Sequence, residues 1–154
     1  MVIAVEINFF KEHIRKRTLI NSIEIGRRLK EAKALLPHGE WGVWLEESVS
    51  YSQSTADRLM QLYDEYELKQ PFPAGSPAAD AWAQALLNLG YSQALVLIGL
   101  PEEERLDFIN DLDVDNMSVR ELKKAVEQRK EAMAKCDKRH VSANRRRLGG
   151  ERGY

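Results

Sequence analysis

HGEWGVWLEESVSYSQSTADRLMQLY, residues His38 to Tyr63, holds two short helical patterns on either side of a serine-rich break. Trp41, Trp44 and Leu45 stand at i, i+3 and i+4, one face of a short helix over Glu40 to Ser48. Ser52 then occupies an N-cap position, where its hydroxyl can accept a bond from an otherwise orphaned backbone N–H. A further helix is expected from Gln53 to about Glu67, with Ala56, Leu59, Met60 and Tyr63 facing inward. Two readings of the break compete. It is the turn of a DNA-reading helix pair, or a corner of the kind that every small helical bundle contains. The first needs a tight turn, a small residue where the helices cross, and a polar outer face. Ser48, Val49 and Ser50 supply the turn, with Val49 as its apolar plug. Ala56 supplies the crossing. Gln53, Ser54, Asp57, Arg58 and Gln61 supply the face.

Working outward, residues 6 to 36 are expected to be helical. Ile14, Thr18, Ile25, Leu29, Ala32 and Leu36 recur as an apolar stripe. Thr18 to Ser22 is poor in strong helix formers, so a break is allowed there. Gly26 costs roughly 1 kcal/mol against alanine in a helix, which points to close packing. Pro37-His38-Gly39 ends the segment. The 154-residue chain places three of its five prolines in Gln70–Asp80, a linker by composition. Helices are expected over Ala81–Leu89 and Ser92–Ile98, interrupted at Gly90. Another should start at Pro101 with Glu102, Glu103 and Glu104 at its positive end and run to about Leu112. Ser118 and Glu121 form a capping box. It opens a last helix over Val119 to about Lys135, with Val119, Leu122, Val126 and Met133 as its stripe. From Asp137 the sequence loses periodicity and is expected to be a mobile basic tail. The fold class expected is all-α. A helical unit over 1–69, a linker over 70–80, a second small helical unit over 81–136 and a tail over 137–154 make up the chain.

Charge is strongly segregated. The net charge is −1 overall, but +4 over residues 1–36, −5 over 37–70, −7 over 71–118 and +7 over 119–154. Basic ends can serve as a footprint for nucleic acid, or opposite charges can meet within one molecule or dimer. No apolar run reaches the roughly 18–20 residues that a membrane span needs. The apolar start lacks the basic lead of a signal peptide. With a single cysteine, Cys136, no internal disulfide can form, and the cytoplasm is the expected compartment.

Nothing in the sequence calls for a metal, a cofactor or catalysis. His13, His38 and His140 lack metal-ligand spacing, and Cys136 with His140 makes half a site at most. His38 near Glu40 reads as a turn residue following a helix-ending proline. Trp41 and Trp44 read as core, with an aromatic docking surface as the minority alternative. No phosphate-cradling glycine loop or nucleophile motif is present.

Glu24 to Tyr66 carries a specific set of motifs: E-I-G-x-x-L from Glu24, A-K at Ala32, H-G-E-W-x-x-W-L from His38 and S-x-x-T-A-x-x-x-M from Ser52. In this it resembles domain-of-unknown-function family 3102, found in bacteriophages, prophages and mobile elements, and Glu6 to Ile23 extends the likeness. The resemblance implies a helical, DNA-binding domain and no defined activity. Tyr91 to Val126, with Ser118-Val119-Arg120-Glu121, more weakly resembles the helical segment after the helix-turn-helix of ParB-like partition proteins. The nucleotide-binding part of those proteins has no counterpart here.

The expectation that follows is a phage or mobile-element protein that binds double-stranded DNA. Gln53, Ser54, Arg58 and Gln61 would meet base edges, and Asp57 would accept from cytosine. Arg27, Arg28, Lys30 and Lys33 are the candidate phosphate contacts. Arg145, Arg146 and Arg147 would add non-specific attraction, and the last helix could pair with its mate in a homodimer. The rival is a protein-interaction module whose acidic residues over 37–118 dock on a basic partner and block it. The acidic Asp64, Glu65 and Glu67 at the end of the reading helix favour that rival, because phosphates would repel them.

Overall fold

The structure, a computed structural model, describes residues 2–69 and 72–149, with side chains through residue 143. Those residues are helical, with no strand among them. Helix α1 spans Val2–Leu35, α2 Trp41–Trp44, α3 Gln53–Tyr63 and α4 Pro77–Asn88. They are followed by α5 over Tyr91–Leu97, α6 over Glu102–Asp111 and α7 over Val119–Gly149. Wider π-helical turns, Leu45–Val49 and Asp64–Leu68, extend α2 and α3. A single 3-10 turn, Val114–Asn116, precedes α7.

Several local expectations are met. Ser52 Oγ accepts from the Thr55 N–H at 3.2 Å and caps α3. Gly39 sits at φ 93° in the turn after α1. Glu121 accepts from the Ser118 N–H at 2.9 Å while Ser118 Oγ accepts from the Glu121 N–H at 3.3 Å, a reciprocal capping box. Ser76 caps α4, with Pro77 at its first position. That start lies inside the stretch read as linker, because a serine cap followed by proline begins a helix as readily as it ends a loop.

Three expectations are corrected. First, α1 does not break at Thr18–Ser22. Thr18 Oγ1 donates to the Ile14 carbonyl at 2.8 Å and Ser22 Oγ to the Thr18 carbonyl at 2.7 Å, so both hydroxyls are satisfied within the helix.

Second, the apolar stripe through Ile14, Thr18 and Ile25 faces solvent, and of that stripe only Leu29 is buried. The buried seam is Leu19, Ser22, Ile23, Gly26 and Leu29. Two of its five members are small or polar and give periodicity nothing to detect. At Gly26 an added Cβ would lie 2.0 Å from the Leu59 carbonyl oxygen, so α1 and α3 approach backbone to backbone.

Third, α7 does not end near Lys135 but continues to Gly149. Residues 134–143 are all exposed. A helix rich in Ala, Lys and Arg can persist there on propensity without an apolar face. Residues 150–154 lie outside the described residues.

Two apolar clusters hold these helices. The smaller joins Leu29 of α1 to Leu45, Ala56, Leu59 and Met60, with Trp41, Trp44 and Val49 packed against it. The larger joins Leu19 and Ile23 to Leu62, Tyr66, Trp82, Leu97, Phe108 and Leu122. The segments 1–69 and 81–136 therefore share one core, with α1 running through both clusters.

Candidate functional site

The pair α2–α3 turns on Ser50, the one non-glycine residue with positive φ among those described (φ 55°, left-handed). Ser50 follows the π-helical end of α2, and its N–H donates to the Leu45 carbonyl. Three residues, 50 to 52, separate the last helical turn of one element from the first of the next. Val49 is half-buried and Ala56 fully buried, both in the smaller apolar cluster.

Gln53, Ser54, Asp57, Arg58 and Gln61 are all exposed on the outer side of α3, opposite Ala56, Leu59, Met60 and Leu62. Gln53 Nε2 donates to Asp57 Oδ1 at 2.9 Å. Ser54 Oγ lies 3.2 Å from Ser52 Oγ. Arg58 makes no hydrogen bond or ion pair among the described residues, so its guanidinium is available.

The basic residues of α1 are more committed. Arg27 bridges Glu24 and Glu31, and Arg28 lies 3.0 Å and 3.5 Å from the same two carboxylates. The Arg27 hydrogen bond holds Glu24 below the usual carboxylate range. Lys30 is paired with Asp64 of the turn after α3. Lys33 stands over the Trp41 ring, 5.3 Å from its centroid, and makes no salt bridge among the described residues. Lys30, Lys33, Asp57, Gln61 and Asp64 line one open groove between α1 and α3. Arg27 and Arg28 are not among its lining residues. Arg145, Arg146 and Arg147 lie in the helical run of α7, and their side chains are outside the described residues.

Four carboxylates of the acidic stretch, Asp64, Glu65, Glu104 and Asp111, meet cations within the molecule among the described residues. Glu65 receives Lys69 at 2.6 Å and Arg105 at 2.6 Å. Glu104 receives Arg129 of α7 at 2.8 Å. Arg105, Tyr66 and Lys69 escaped the reading of the sequence. One signal was available for Arg105: it is the lone positive charge of residues 71–118. Trp41 and Trp44 stack with centroids 5.6 Å apart and are each half-buried against the smaller cluster. Among the described residues no three or more His, Cys, Asp or Glu side chains gather as a metal site. No helix there is long and apolar enough to cross a membrane.

Residues 1–129 match the family model described as "Protein of unknown function (DUF3102)". No curated protein and no solved structure matches the chain.

Proposed function

The chain belongs to the DUF3102 family, and from that premise we propose that it binds duplex DNA through a helix-turn-helix made by α2 and α3. The observation that carries this reading is the left-handed Ser50 turn. It reverses the chain between two helices and leaves Ser54, Asp57, Arg58 and Gln61 together on one open face. Side chains near the start of such a second helix can reach base edges in the major groove. Arg58 suits guanine, Gln53 and Gln61 suit adenine, and Asp57 suits cytosine.

Pairing of Asp64 with Lys30, and of Glu65 with Lys69 and Arg105, lowers the repulsion that phosphates would meet at the end of α3. The same economy removes Arg27 and Arg28 as free phosphate contacts. Lys33, together with Arg145–Arg147, then carries that role. A regulatory or accessory part in a phage or mobile element is the setting that the family motifs suggest.

Binding to random-sequence duplex across a salt series tests the reading, for the wild type and for Arg58→Ala. Affinity should fall steeply with salt, and the substitution should weaken it. Absence of binding at roughly 50 mM salt, where counterion release favours any such contact, rejects the reading.

One observation supports docking on a basic protein instead. Glu103 and Asp107 are exposed one turn apart on α6 and form no salt bridge among the described residues. A chain that ignores DNA but loses a partner on Glu103→Lys/Asp107→Lys would be of that second kind.

A further inference from the structure

Residues 2–14 of α1 are all exposed although most are apolar. Ile3, Ile7, Phe10 and Ile14 show 64%, 54%, 63% and 67% of their surface. The last ties between α1 and the body are at Arg15, whose guanidinium donates to Gln93 Oε1 at 3.3 Å and to the Asn88 carbonyl at 3.4 Å. Above that point the helix stands clear of its own fold. Monomeric proteins rarely leave so long an apolar stretch in water.

The pattern on the exposed side specifies what covers it. Ile3, Ile7, Phe10 and Ile14 follow alternating steps of four and three, the spacing of the core layers of a coiled coil. In that register Ile7, Ile14 and Asn21 occupy a positions, and Ile3, Phe10 and Arg17 occupy d positions. Isoleucine at a favours two strands when leucine fills d, whereas Ile3 and Phe10 stand at d here. The number of strands therefore rests on the single asparagine at a, Asn21, which specifies register and oligomer state. Glu6 falls at g and Lys11 at the following e, so a parallel neighbour in register brings Glu6 of one helix to Lys11 of the other. Ile20 at g and Ile25 at e are also exposed, at 41% and 36%, and would be covered by the same neighbour. Arg17 and Asn21 turn the layers polar nearer the body, and both are exposed as the seam requires. Hiding this face over Ile3 to Ile25 in two copies removes on the order of 1,000 Å2 from water, the floor for a specific interface.

We propose that the exposed face of α1 is occupied by a second copy of this chain, paired in parallel and in register through Ile3, Ile7, Phe10 and Ile14. This stands apart from the DNA reading, and either can fail without the other.

Sedimentation equilibrium of the full chain at micromolar concentration tests it. The wild type should run at twice the chain mass. Ile7→Asp/Phe10→Asp should halve that mass while the chain remains folded by far-UV circular dichroism, since both side chains are exposed on the body-free part of α1. In a Cys136→Ser background, Ile14→Cys should oxidise to a covalent dimer, because equivalent a positions face each other in a parallel pair. A wild-type chain at single mass overturns the proposal. Were that monomer to co-sediment with phosphatidylglycerol vesicles, the face would belong to a lipid surface. A dimer indifferent to Ile7→Asp/Phe10→Asp, or one that Ile14→Cys fails to cross-link, also overturns it.

Discussion

Arg105 Nη2 donates to Glu65 Oε2 at 2.6 Å, with 3% and 13% of the two side chains exposed, and this pair fastens α6 to the end of α3. The same guanidinium donates to the Leu100 carbonyl at 3.0 Å and lies over the Tyr66 ring, 5.5 Å from its centroid. Burial alone would raise the Glu65 carboxyl, but hydrogen bonds from Lys69 and Arg105 outweigh it and hold the group below its ordinary value. A carboxyl depressed in the folded state contributes stability above its unfolded pKa and loses it as pH falls through the folded value. Stability to urea should therefore be level near neutrality and decline on acidification below about 4.5, with a shallower decline in Glu65→Gln. Arg105→Met should cost roughly 1.5–3 kcal/mol, since it removes the buried partner of Glu65 and leaves that carboxylate to Lys69 alone. Lys69→Gln, at the exposed side of the same group, should cost under about 1 kcal/mol.

Gly26→Ala tests the backbone contact between α1 and α3. Alanine gains about 1 kcal/mol of helix propensity in isolation. Here its methyl would meet the Leu59 carbonyl oxygen, which belongs to a helix backbone and cannot swing aside. The net effect expected is destabilisation by about 1–3 kcal/mol, read as a lower urea midpoint. A neutral or stabilising alanine would show that the helices can separate at no cost.

Ser50→Gly and Ser50→Val should move stability in opposite directions. A left-handed residue with a side chain costs roughly 1–2 kcal/mol, and glycine avoids it while losing some backbone entropy. Ser50→Gly should raise stability by about 0.5–1 kcal/mol. The β-branched Ser50→Val should lower it by more than about 1 kcal/mol. Thermal unfolding followed by circular dichroism gives both signs directly.

Local chemistry was the legible part of this chain. Caps and breakers act within a few residues, so Ser52, Gly39 and the Ser118–Glu121 box could be read where they stand. Gly26 was legible for the same reason, since a costly residue inside a helix needs a packing partner. Long-range pairing was not. Nothing near Glu65 in sequence announces Arg105, forty residues on. The pairing of Arg27 with Glu24 and Glu31, at i−3 and i+4 on one helix, is local and was legible from spacing, yet it was passed over. The stripe on α1 was misassigned because apolar periodicity marks a face that avoids water, not which molecule shields it. The seam toward the body is partly serine and glycine, whereas the louder stripe points outward. On the outer face of α3, Gln53, Ser54, Asp57, Arg58 and Gln61 were placed correctly from the period of Ala56, Leu59 and Met60. Their chemistry toward DNA rests on the tests above.

The unbroken course of α1 has a mechanical consequence. With no proline or wide turn between Ile14 and Gly26, the outer stripe and the inner seam hold a fixed angular phase, about a third of a turn apart at 3.6 residues per turn. Whatever grips the outer stripe also dictates which way the face of α3 is aimed. One residue inserted between Ile14 and Leu19 would lengthen the rod by only about 1.5 Å but swing that aim by roughly 100°.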